Sequence, residues 1–172
     1  YHGGDGGGRF SILCPKDSVA IGLRAYHGSD VDQIGLVCKD LKTQEVYKTQ
    51  LSDGSDGGAE RICHNGSNGE QGVLINAYSN GDWWGPSEIW DDSNGDGKPQ
   101  YYEYHSLWII RGLDGWCGFL STSNDADGVK ILFWTNLGGY GGLVPKYSSD
   151  VPTGAVIKGI QGASGGRLDR FN

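Results

Sequence analysis

Three groups of residues have the types and spacing to do chemistry. The first is Asp92-Ser93-Asn94-Gly95-Asp96-Gly97, continued by Lys98 and closed by Glu103. Oxygen donors at positions one, three, five and twelve suit a hard cation, the glycine at six permits a sharp turn, and the Lys98 carbonyl fills position seven. Calcium is the cation that such a loop takes. Pro99 interrupts the pattern and Tyr101 to His105 reads as strand, so an acidic hairpin turn is the competing reading. The second group is a pair of glycine-led loops ending in a carboxylate, Gly28-Ser29-Asp30-Val31-Asp32 and Gly165-Gly166-Arg167-Leu168-Asp169. The third is four cysteines, Cys14, Cys38, Cys63 and Cys117. They lack the Cys-x-x-Cys pairs of a metal cluster, and their even number suits an oxidising compartment.

Catalytic patterns are missing. His2, His27, His64 and His105 are scattered without zinc spacing. There is no Gly-x-Ser-x-Gly elbow and no phosphate-cradling loop. A glycosidase would need two carboxylates at a set separation, and nothing singles out a pair. The expectation is a protein that is not an enzyme and has no catalytic residues. Trp83, Trp84 and Trp90 read as packing or loop-anchoring residues.

The elements that must position these loops are short strands. Among 172 residues there are 31 Gly, 6 Trp and 9 Tyr, with apolar residues in brief runs between glycines, as in all-β chains with tight turns. Ser18 to Tyr26 alternates through Val19, Ile21 and Leu23. Gln33 to Cys38, Gly72 to Tyr78, Leu107 to Ile110 and Val129 to Thr135 read as further strands. No segment carries helical period with caps. The formal charge of −7, with no basic stretch, argues against nucleic acid. No run is long enough to insert in a membrane as a helix. Tyr1 follows neither an initiator Met nor an apolar leader, as a processed secreted chain reads. Asn65-Gly66-Ser67 is an N-glycosylation sequon.

An internal repeat organises the chain. Cys14 to Gly35 overlays Val151 to Asn172 without gaps at an offset of 137, matching Pro15, Val19, Gly22, Gly28 and Asp32 to Pro152, Val156, Gly159, Gly165 and Asp169. Ser123 to Val129 reads as a third partial copy with Ser in place of the leading glycine. Glycine turns recur at 3–8, 54–58 and 138–142. Three turns and three loops predict three similar four-stranded units in a single domain, residues 1–172, packed about a common axis. Residues 79–105 fit no copy and read as an insertion. Cys14 and Cys38 bracket the first strand pair, which favours Cys14–Cys38 and Cys63–Cys117 among the three connectivities.

Gly3-Gly4-Asp5-Gly6-Gly7-Gly8-Arg9-Phe10, Asp127-Gly128-Val129 running through Phe133-Trp134-Thr135-Asn136, and Gly154 to Phe171 resemble, in this order, the segments of the jacalin-related lectins. The likeness covers about two thirds of the chain. The long insertion departs from that family, and Cys14-Pro15 ahead of a strand is more similar to the vitelline-membrane outer-layer proteins. The resemblance implies a β-prism of three antiparallel Greek-key sheets with pseudo-threefold symmetry. It also implies two sugar sites, each between a glycine turn and a Gly-x-x-x-Asp loop. One joins Gly7 to Gly165, Gly166, Arg167, Leu168 and Asp169; the other joins Gly58 to Gly28, Ser29, Asp30 and Asp32, with Tyr26 or Tyr140 as an apolar face. A carboxylate accepts two vicinal hydroxyls while uncovered backbone N–H groups donate back.

The competing reading is that these aspartates cap their own turns. The uncut run to Tyr1 points, by the same resemblance, to glucose or mannose over galactose. Mono- and oligosaccharides and glycoproteins are the expected partners, with no required cofactor. Each shallow site would bind at roughly millimolar strength, about −4 kcal/mol, with avidity from two sites or a homodimer. The alternative function is an acidic matrix or mineral-associated structural protein that binds calcium.

Overall fold

A computed structural model describes residues 2–3, 7–28, 30–84, 107–120, 131–133, 145–148 and 155–171. The calcium-like loop from Asp92 to Glu103, Ser29, Tyr140, Trp90 and Ser123 to Val129 lie outside the described residues. The described elements are all strands: β1 (His2–Gly3), β2 (Gly8–Leu13), β3 (Ser18–His27), β4 (Val31–Asp40), β5 (Val46–Lys48), β6 (Ala59–Ile62), β7 (Gly72–Trp84), β8 (Leu107–Phe119), β9 (Ile131–Phe133), β10 (Pro145–Ser148), β11 (Gly159–Ser164) and β12 (Leu168–Phe171).

They form three four-stranded antiparallel sheets, ordered β1-β12-β11-β2, β5-β4-β3-β6 and β10-β7-β8-β9. In each, a central hairpin is flanked by two outer strands, and the last strand of the unit returns beside the first, which is a Greek key. The first sheet is assembled from both ends of the chain, its hairpin β11–β12 coming last and its outer strands β1 and β2 first. The expected three-unit β-prism is the architecture found. Its core lies where the three inner faces meet and takes fully buried side chains from each: Leu168 and Phe171, Leu23 and Leu36, Leu74 and Leu113.

The pseudo-threefold relation holds residue by residue. Ala20 pairs with Cys38 and Leu74 with Cys117, and in both hairpins the next residue, Ile21 or Ile75, is bulged out of the pairing. Ala20 N–H donates to Ile157 O, and Ile157 N–H to Leu74 O, so equivalent residues of the three units bond to one another near the axis. The third copy is therefore β7–β8, and not Ser123 to Val129, which falls between β8 and β9. Strand β7 also runs on through residues 79–84.

The disulfides are Cys14–Cys38 and Cys63–Cys117, as favoured from the sequence. They are equivalent too. Each follows an outer strand, β2 or β6, and ties it to the returning hairpin strand of the next sheet, β4 or β8. The same backbone bond accompanies both, Cys14 N–H to Lys158 O and Cys63 N–H to Ile21 O.

Candidate functional site

The two glycine-led loops are the tips of the β3–β4 and β11–β12 hairpins, and they have the same geometry. His27 pairs with Val31 and Tyr26 with Gln33, leaving Asp32 as an extra, unpaired residue. Ser164 pairs with Leu168 and Ala163 with Arg170, leaving Asp169 as the extra residue. Both aspartates are thus left out of the ladder by a β-bulge, a device that bends a strand. Each three-residue turn is closed identically, Gly28 N–H to Asp30 O at 3.0 Å and Gly165 N–H to Arg167 O at 2.9 Å. The leading glycine amide is consumed by its own turn. Among the described residues the exposed Gly166 and part-exposed Arg167 amides have no protein acceptor.

In the third hairpin the extra residue is Arg111, between the pairs Asn80–Gly112 and Gly81–Ile110. Pairing continues beyond it to Trp84–Leu107. Its bulge thus carries arginine where the other two carry aspartate, and its strands pair on where the other two turn.

The glycine turns differ between the two aspartate tips. Gly7, with φ of 73°, leads straight into Gly8, which pairs with Ser164 and so sits against the 165–169 loop. Gly58, with φ of 83°, packs one step lower: a Cβ there would collide with the Ala25 carbonyl. Only glycine tolerates both the left-handed backbone and that approach. Its turn is anchored by the buried Arg24, whose guanidinium donates to Thr49 O and, at 3.0 Å, to Gly57 O. Arg24 Nε also lies 3.6 Å from Glu60, which Lys48 holds at 2.8 Å. Tyr26, 57% exposed, stands beside this turn, whereas its counterpart Ala163 is buried.

The tips touch. Gln33 Nε2 donates to Gly165 O at 3.4 Å, and Gln33 Oε1 accepts from Ser52 Oγ at 2.6 Å and Ser164 Oγ at 3.0 Å. Burial raises the Asp32 pKa above the ordinary carboxylate value and the Asp30 carboxylate raises it further, against the lowering effects of His27 and of Arg167 from the other tip. Among the described residues no backbone hydrogen bond contributes. Asp40 and Asp53 are the contrast: the Thr43 and Lys42 amides in one case, and the Ser55 hydroxyl and amide in the other, hold their pKa values down. Those two carboxylates cap turns; that of Asp32 accepts no backbone hydrogen bond from the described residues.

The sequence-predicted residues Gly7, Gly165, Gly166, Arg167, Leu168 and Asp169 are brought together at one tip, and Gly58, Gly28, Asp30 and Asp32 at the other. Leu168 is buried and belongs to the core. Arg24, Gln33 and Ser52, which position the turns, were not read from the sequence. An arginine inside an otherwise apolar alternating strand was the available signal. Of the described residues, none form a cluster of three or more metal-ligating side chains.

The architecture is that of the jacalin-related lectins. Among solved structures, the artocarpin–mannopentose complex superposes with a TM-score of 0.54 at 9% identity, covering 99% of this chain and 90% of that one. Calystegia sepium agglutinin gives 0.51 at 16%, covering 98% and 88%. A mannose-specific jacalin-related lectin from Morus nigra, in complex with mannose, gives 0.51 at 15%, covering 98% and 86%. No protein-family model matches the sequence, and no curated protein does.

Proposed function

We propose that this protein is a carbohydrate-binding lectin without catalytic activity, with one sugar site at each aspartate-bearing hairpin tip. The observation that carries the reading is the pair of equivalent β-bulges that leave Asp32 and Asp169 out of the ladders beside left-handed glycine turns. In each site the ionised carboxylate accepts two neighbouring hydroxyls of a pyranose. Loop amides, as at Gly166 and Arg167, donate to its oxygens. Tyr26 offers an apolar face to the sugar ring at the Asp32 site. Glucose- and mannose-type glycans on oligosaccharides or glycoproteins are the ligands, in keeping with the mannose ligands named for structures of the same fold. Two disulfides fit a secreted, extracellular protein.

A glycan array followed by calorimetry on the wild type, Asp32→Ala and Asp169→Ala tests this. Each single variant should lose one site and the double variant both. Absence of any bound glycan at millimolar concentration would remove the lectin reading.

A further inference from the structure

A shallow groove of about 470 Å³ lies at the opposite end of the second sheet from the Asp32 tip. Its walls include Ile21, Val46, Ile62, Lys39, Gln71 and Asn65. Val46 and Ile62 are 49% and 41% exposed, large for aliphatic side chains on strands. Lys39 Nζ donates to Gln71 Oε1 at 2.7 Å, so a polar pair borders the apolar floor. Asn65 is exposed on the groove's edge, in a loop closed by Gly66 N–H to Glu70 O and Gly69 N–H to Gly66 O, and Ser67 two residues on is exposed as well. A sequon on a surface loop is what a glycosyl transfer enzyme can reach.

We infer that Asn65 carries an N-linked glycan and that its first sugar lies in this groove, its apolar face on Val46 and Ile62 and its hydroxyls toward Lys39 and Gln71. The co-reactant is a lipid-diphosphate-linked oligosaccharide. The Asn65 amide nitrogen attacks the anomeric carbon, a C–N bond forms, the C–O bond to the diphosphate breaks, and the nitrogen loses one proton. The occupant is settled by covalent attachment: a sugar tethered at the groove's edge needs little ordering to fill it. Its position leaves both hairpin tips open, and the inference is independent of the lectin reading.

The test uses the full chain secreted from cultured eukaryotic cells. Intact mass before and after peptide-N-glycosidase should fall by one N-glycan mapped to Asn65, and this change should be absent in Asn65→Gln and Ser67→Ala. Glycosylated wild type should melt higher than its deglycosylated form, and that increment should vanish in Ile62→Ser and in Val46→Ser, both surface changes. An unmodified Asn65 overturns the site. An equal increment in wild type and both serine variants, zero included, overturns the seating.

Discussion

The Asp169 and Asp32 tips have the same chain path, bulge and turn-closing bond, yet their surroundings differ in charge and in support. Asp30 and His27 flank Asp32 where Arg167 and Ser164 occupy the matching positions near Asp169, and exposed Tyr26 replaces buried Ala163. One glycine turn is pinned by a buried arginine; the other runs directly into its strand. The backbone device is thus shared by both copies, while the side chains around it differ, and in the proposed sites those differences would set strength and pH response. The third hairpin shows the limit, since the bulge persists with Arg111 on it and its strands pair on where the other two turn.

Removing the pin should have the largest effect. Arg24→Ala leaves the Thr49 and Gly57 carbonyls without their donor and Glu60 with Lys48 as its partner, at a cost of about 3 kcal/mol in urea denaturation. Binding at the Asp32 tip should weaken while that at the Asp169 tip survives. Equal loss at both tips would break the comparison.

Next comes glycine. Gly58→Ala meets both a left-handed φ and a backbone collision, and should cost about 2 kcal/mol. Gly28→Ala and Gly166→Ala enter open space and should stay within about 0.5 kcal/mol.

The smallest effect is electrostatic. The folded-state pKa of Asp32 is raised, so the group favours the folded state below its unfolded pKa and that contribution is lost as pH rises through the folded value. Asp32→Asn should therefore melt slightly higher than wild type at neutral pH, with the gain gone below about pH 4, while losing its sugar. Sugar affinity at the Asp32 tip should fall on acidification before ordinary carboxylates protonate. Arg167→Gln removes a cation from across the gap and should move that fall to higher pH. An unmoved midpoint would mean that the tips act independently.

The repeat at offset 137 was legible because turn glycines and buried-face residues are constrained in both copies, and the bulges fall at matching positions. The disulfides followed from the same logic. The third copy was hidden because Asn76 replaces the glycine found as Gly22 and Gly159, and because a long connection stands where the short Gly-to-Asp turn would be. The surviving signal was the apolar run Gly72-Val73-Leu74-Ile75, which parallels Ser18-Val19-Ala20-Ile21. The bulges were illegible because period-two patterning marks faces but not which residue lacks a partner. Arg24 to Gly57 and Gln33 to Gly165 span 33 and 132 residues, and no local pattern encodes such contacts.

The most direct measurement is a backbone amide NMR titration with mannose and with glucose. Shifts confined to residues 7–8, 26–32, 57–58 and 165–169, and abolished in the Asp32→Ala/Asp169→Ala double variant, are the predicted result. Saturating shifts elsewhere, or shifts that persist in the double variant, would contradict it.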